Sequence, residues 1–380
     1  MKSTIALAWV SGVVSCAIAS SAPAQQIPNA VPRATPNSTK SWERPTLRVS
    51  LPTSATQLEF SADGETLLTD GATKQSAELW SLKTGQRIST FPAKAGFAFC
   101  DIALSPDGQF AAGLLESRAA PKVQAKRQIE LNVWDLKTGK SQWTRPIQDH
   151  PLQTPPVPGQ MQPPDIAVCQ VEFSPNSRVL ATSISSRSNK LQSGVRIWNV
   201  PQGTLQQVTG SPVTYIDRLA FSPDSAVVGF TTLANSNSQL HLWNLKTRKL
   251  QAKLQARYEG NLLSIVDIVF SPNQPDVIAF ANDGIFSYLH HWQTKTGKFQ
   301  RLSRLSIDRT ANLLALSPDG QTYVYGSDVI GYYISNFQTH QSWEFPPALK
   351  YKSGPTRVVF SRDGQQMAIV IDNQTIQVIR

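Results

Sequence analysis

Cysteine is nearly absent from this chain: three residues in 380, Cys16, Cys100 and Cys169. That excludes a disulfide-dense small scaffold and any Cys-x-x-Cys zinc or redox motif. Histidine is almost as scarce. His150, His241, His290, His291 and His340 form no His-x-x-His or His-Glu-x-x-His pattern, so no metal site of local spacing is present. No Gly-x-Ser-x-Gly elbow occurs, which removes the commonest signature of a serine hydrolase. After residue 18 no apolar run approaches membrane-spanning length. Acidic residues are the minority sign, 26 against 36 Lys and Arg, for a formal net charge of +10. Such a balance raises nucleic acid as a partner. The chain has no Arg/Lys cluster interleaved with aromatics, and its first residues read as an export signal, so nucleic acid is not expected.

That signal is Lys2 followed by the apolar run Ile5 to Ile18 and the small-residue stretch Ala22-Pro23-Ala24. The pattern predicts a signal peptide over residues 1–24 and a periplasmic or secreted protein beginning at Gln25. The alternative is a lipid anchor on Cys16, because Val13-Val14-Ser15-Cys16 resembles a lipobox. Residues 25–43 are rich in Pro, Asn, Ser and Thr, the composition of a disordered tether.

What the chain has in abundance is one phrase written seven times. An apolar strand runs into Ser-Pro-Asp-Gly or a close relative, with its serine at positions 61, 105, 174, 222, 271, 317 and 361. Repeats of 44 to 49 residues, with one step of 69, are supersecondary units that cannot bury their own apolar faces and must stack. Repeat four shows the contents: alternating strands over residues 216–221, 227–232, 239–244 and 250–254, separated by turn residues. Pro presets φ at the second turn position and Gly supplies positive φ at the last. A second turn, Leu-Lys-Thr-Gly, recurs at Leu82 and Leu136 and suits a short hairpin.

The Ser-Pro-Asp-Gly turns, with Trp80, Trp134, Trp198, Trp243 and Trp292 on third strands, make the chain resemble the WD-repeat β-propeller family. Only Val133-Trp134-Asp135 carries the Trp-Asp pair, and no Gly-His pair precedes a first strand. The resemblance implies an all-β fold, a seven-bladed β-propeller over residues 44–380. The family's His–Asp–Ser–Trp hydrogen-bond network is expected to be broken, and the five tryptophans are expected to pack between blades. The last repeat lacks a fourth strand, and Leu47 to Leu51 has no repeat before it. The N-terminal strand is therefore expected to close the last blade, removing an exposed edge.

Candidate sites follow from that frame. The inner-strand position four residues before each repeat serine holds Gln57, Asp101, Gln170, Arg218, Asp267, Leu313 and Arg357. By resemblance these residues, polar except for Leu313, surround the channel mouth on one face, the top. Cys100 and Cys169 occupy equivalent places on neighbouring inner strands. Equivalent side chains point the same way around a ring, so two buried thiols are expected, with a disulfide as the alternative that export would permit. Lysines of the third-to-fourth-strand turns, such as Lys83, Lys137 and Lys246, read as a solvated hairpin face at the bottom.

Three insertions are the sharpest signal. Residues 116–127 bring Arg118, Lys122, Lys126 and Arg127; residues 146–164 bring seven prolines, including Pro155, Pro156 and Pro158; residues 183–194 bring Arg187 and Lys190. All should emerge at the top of blades two and three, where long loops on a rigid scaffold serve binding. The expectation is a non-catalytic, exported, monomeric scaffold that binds one or more proteins there, with no cofactor and no metal. The alternatives are a small molecule or glycan bound at the channel mouth, and a hydrolase or lyase built from carboxylates such as Asp101 and Asp267.

Overall fold

The computed structural model describes residues 42, 45–118, 128–147, 167–186, 194–209, 215–234, 237–272, 274–305, 312–327, 331–345, 355–371 and 375–380. Every regular element among them is a β-strand. Strand β1 (Leu47–Leu51) precedes blade one, which comprises β2 (Leu58–Phe60), β3 (Thr66–Thr69), β4 (Ser76–Ser81) and β5 (Arg87–Pro92). Blade two is β6 (Phe97–Leu104), β7 (Phe110–Ser117), β8 (Ile129–Asp135) and β9 (Ser141–Pro146). Blade three is β10 (Ala167–Phe173), β11 (Val179–Ser186), β12 (Gly194–Asn199) and β13 (Thr204–Thr209). Blade four is β14 (Tyr215–Phe221), β15 (Val227–Ala234), β16 (Asn237–Asn244) and β17 (Lys249–Leu254), followed by the small hairpin β18 (Arg257–Tyr258) and β19 (Asn261–Leu262). Blade five is β20 (Ser264–Phe270), β21 (Asp276–Asn282), β22 (Ser287–Gln293) and β23 (Phe299–Leu305). Blade six is β24 (Asn312–Leu316), β25 (Thr322–Ser327), β26 (Gly331–Asn336) and β27 (Ser342–Glu344). Blade seven is β28 (Arg357–Phe360), β29 (Met367–Ile371) and β30 (Thr375–Ile379), completed by β1. The protein is a seven-bladed β-propeller.

The repeated turn is a self-satisfied hydrogen-bond module, which explains its recurrence. In blade two the Ser105 hydroxyl donates to Asp107 Oδ1 (2.7 Å) and accepts from the Phe110 N–H (2.8 Å), while Asp107 Oδ1 also accepts from the Gln109 N–H (3.0 Å). The same set recurs from Ser61, Ser174, Ser222, Ser317 and Ser361. Gly64, Gly108, Gly320 and Gly364 end the turn at φ of 67° to 69°. Blades three and four put Ser177 and Ser225 there instead, at φ of 60° and 58°. Each serine hydroxyl accepts a hydrogen bond from the preceding blade, Ser177 from the Asp107 N–H (3.0 Å) and Ser225 from the Asn176 N–H (3.1 Å). The strain of a left-handed non-glycine residue is thus offset by a bond between blades.

The core lies between blades. Trp80 packs with blade-seven residues such as Val370 and Ile376, Trp134 with Leu68 and Phe91 of blade one, Trp198 with Leu131 and Val133 of blade two, and Trp292 with Leu240 and Leu242 of blade four. Trp243 lies against Val195 and Ile197 of blade three and is half-buried. Trp42, ahead of the array boundary read from composition, is also core: it is 2% exposed and meets Phe360 edge-on at 6.1 Å.

Closure follows the expected route. The last sheet runs β1-β30-β29-β28, with Leu47 opposite Ile379 and Leu51 opposite Ile376. Arg48 fastens the seam: its guanidinium donates to the Gly64 carbonyl of blade one (2.6 Å) and to Gln366 Oε1 of blade seven (2.5 Å), and pairs with Glu65 (2.7 Å).

The expectation of two thiols is corrected. Cys100 and Cys169 form a disulfide across Cα atoms 5.9 Å apart, joining the inner strands of blades two and three. The sequence argument assumed equal strand geometry, but the two strands differ. Cys100 is the extra residue of a bulge, since Phe99 pairs with Leu115 and Asp101 with Leu114, whereas β10 runs without interruption past Cys169. A bulge re-aims the side chain it carries. Cys100 therefore turns toward the neighbour that an unbulged strand would have faced away from.

The seam makes the first prediction. Removing residues 1–40 should leave the melting temperature unchanged within a few degrees, whereas removal through Leu51 should lower it sharply, because an edge opens and Leu51 and its partners lose their cover. Thermal unfolding of both truncations checks this, and equal stability would refute the closure.

Candidate functional site

The inner strands line the channel, and each has one edge without a ladder partner. Side chains at alternate positions cap those edges. Glu59 of blade one accepts from the Leu104 N–H of blade two (3.0 Å). Asp101 of blade two accepts from the Val171 N–H of blade three (2.8 Å). Glu172 of blade three accepts from the Phe221 N–H of blade four (3.4 Å), and Gln170 donates to the Asp217 carbonyl (2.5 Å). Across blades one to four, then, the polar channel residues staple each inner strand to the next, where an unpaired buried N–H would otherwise be costly.

Of the residues read as a channel ring, Asp101 and Gln170 are spent in these staples. Arg218 donates to the Asp217 carbonyl (2.9 Å) and pairs with Asp267 (3.5 Å). Gln57 is held through its backbone N–H, which donates to the buried carboxylate of Asp70 (3.1 Å). Arg357 is exposed. Glu59 and Glu172 were missed by the sequence reading, which scanned only the position four residues before the serine. Two residues further along, the same strand face continues, and that parity was the available signal.

Electrostatics sets these carboxylates apart. Burial pushes Glu172 up to about 8 and Asp101 up to about 7, partly opposed by the N–H each accepts, and it holds Glu59 and Asp267 above the usual carboxylate range. Neighbouring carboxylates add to the rise in Glu59 and Glu172, and Arg362 counters it in both. Among the described residues no group of three His, Cys, Asp or Glu side chains is placed to hold a metal ion. Buried His290 and His291 and half-buried His241 belong to blade packing. His241 stacks on Phe230, His290 on Trp292, and His291 lies near Phe337. Burial drops His241 to about 4 and His291 to about 3.

A tryptophan-centred hydrogen-bond network of the WD-repeat kind is incomplete here. Trp198 Nε1 donates to Thr182 Oγ1 (3.0 Å), but the indole N–H groups of Trp80 and Trp243 have no hydrogen-bond partner.

The ends of the strands flanking all three insertions meet at one end of blades two and three. Glu116 pairs with Ile129 and Glu130 with Pro146 in blade two. Ala167 pairs with Ser186 and Ile184 with Gly194 in blade three. Arg118 is exposed and reaches back to blade one, its guanidinium donating to the Thr73 carbonyl (2.8 Å) and its N–H to the Gly96 carbonyl (2.7 Å). Lys122, Lys126, Arg127, Pro155, Pro156, Pro158, Arg187 and Lys190 lie outside the described residues. The Cys100–Cys169 bond spans a sequence separation of 69 residues that includes two of the insertions, 116–127 and 146–164.

Titration follows from these environments. Glu172 binds its proton more tightly folded than unfolded, so its contribution to stability is full below about pH 4 and fades as pH rises toward 8. The histidines act oppositely: their contribution is full above about pH 6.5 and is lost as pH falls toward 3. The wild-type protein should therefore lose stability both as pH falls toward 3 and as it rises toward 8, with its maximum between these limits. Glu172→Gln should melt close to wild type at pH 5 and gain about 1–2 kcal/mol at pH 8.5, the shift being discounted for channel solvent. Calorimetry at the two pH values checks this, and a gain independent of pH would count against a protonated Glu172.

No family model matches the chain, and no curated protein is similar to it.

Proposed function

We propose that this protein is an exported, non-catalytic scaffold of the WD-repeat type that binds partner proteins through the segments inserted at the top of blades two and three. One observation carries the reading: the disulfide joins the two blades into which those segments are inserted. A covalent tie between the strands beneath a binding surface lowers the ordering cost of holding two blades in one arrangement. Closing a loop of 69 residues corresponds to about 4 kcal/mol in the chain-entropy view. The bond also suits an oxidising compartment, in keeping with the signal read at residues 1–24.

The channel draws less support as a ligand or catalytic site. Asp101 and Glu172 each spend a carboxylate oxygen on a neighbouring backbone, and Asp267 is engaged with Arg218. A carboxylate so committed is a poor general base, because taking a proton on the engaged oxygen would release a backbone N–H.

Seven prolines among residues 146–164 restrict that segment toward extended conformations, which favours binding at low entropic cost. Lys122, Lys126, Arg127, Arg187 and Lys190 supply positive charge, so the partner surface should be acidic at its rim. Replacing residues 148–163 with a short Gly-Ser linker should leave the melting temperature within a few degrees of wild type and abolish capture of a partner from the exported fraction. Retention of every partner would overturn the assignment of this face.

A further inference from the structure

The sequence spreads Lys and Arg over the bottom turns, but the fold gathers most of the net charge into one sector. Residues 245–262 and 293–305, the outer strands of blades four and five with their flanking turns, carry nine Lys or Arg against Glu259 alone, a net +8 of the chain's +10. All nine cations are exposed and none forms a salt bridge with a described carboxylate, though Arg301 lies near enough to Asp276 to interact electrostatically. The two strands are physically tied, because Gln251 on β17 donates to the Thr294 carbonyl (2.6 Å) and the Lys295 carbonyl (2.9 Å) in the blade-five turn.

Each strand also exposes one large apolar residue at the position opposite its blade tryptophan: Leu250 at 45% beside Trp243, and Phe299 at 47% beside Trp292. Both strands end their sheets, so each presents an unpaired row of backbone N–H and C=O groups. Lysine on an edge strand commonly guards against aggregation. That purpose does not explain the concentration here, because β13 has an equally open edge and no charged residue.

We propose that the outer wall of blades four and five is a second docking surface, whose occupant is an acidic protein segment in extended conformation. Its backbone adds to the open edge of β17 or β23, its carboxylates meet Lys249, Lys253, Lys298 and Arg304, and an apolar side chain settles on Leu250 or Phe299. A protein segment fits better than a bilayer for a geometric reason. Leu250 and Phe299 share the sheet face of half-buried Trp243 and buried Trp292, so they look into the clefts between blades, which an extended chain can enter and a flat lipid surface cannot. This surface is separate from the face at blades two and three and does not depend on it.

The test uses the full mature chain and a fluorescent synthetic peptide that alternates Glu with Thr and carries Leu near one end. Anisotropy should show saturable binding that weakens as salt is raised. Lys249→Glu, Lys253→Glu and Lys298→Glu together should raise Kd at least tenfold with melting temperature unchanged; the corresponding Gln variants give the same reading if the reversals impair folding. Leu250→Ser with Phe299→Ser should raise Kd several-fold, while Lys83→Glu with Lys137→Glu should change it less than twofold. Peptide binding that is absent, or indifferent to the blade-four and blade-five variants, overturns the proposal. So does equal affinity for polyglutamate combined with no effect of the Leu250 and Phe299 changes, or binding confined to phosphatidylglycerol vesicles.

Discussion

A four-stranded blade has two apolar faces and can bury neither alone. Everything else in this protein depends on that constraint. Each third-strand tryptophan turns toward the preceding blade, so the stack is satisfied only when its last member meets its first. Trp80 of blade one rests on Val370 and Ile376 of blade seven, and β1 joins β30 in the same sheet. Arg48 then bonds both sides of the seam. Without closure, the faces of blades one and seven and the edge of β30 would be open together.

The second consequence of stacking concerns the channel. Bringing seven inner strands around one axis leaves their free edges facing inward, and backbone N–H groups there need acceptors. Glu59, Asp101 and Glu172 supply them in blades one to three, at the cost of drawing several carboxylates into one narrow space. Their raised proton affinities follow from that crowding and from burial. Of the ring read in sequence, Asp101 and Gln170 are interblade staples in the fold, Arg218 pairs with Asp267, and Arg357 is exposed.

Much of this was legible in the residues. The Ser-Pro-Asp-Gly turns gave blade number and strand boundaries because the turn is a local hydrogen-bond module. The orphaned strands at either end gave the closure. The cysteine pairing was not legible, because a single extra residue at Cys100 bulges β6 and no local pattern announces a bulge. Glu59 and Glu172 were readable in principle from strand parity. The concentration of cations on blades four and five required knowing which strands lie side by side. For the insertions, the fold locates the flanking strand ends, such as Glu116 beside Ile129 and Ile184 beside Gly194, and not the inserted side chains themselves.

Blades two and three are joined covalently through Cys100 and Cys169. Alkylation of the native, unreduced mature protein followed by peptide mass analysis tests it most directly. No cysteine should be alkylated, a linked pair of peptides containing Cys100 and Cys169 should be found, and reduction should lower the melting temperature by several degrees. Two alkylated thiols in fully folded protein from the exported fraction would contradict it.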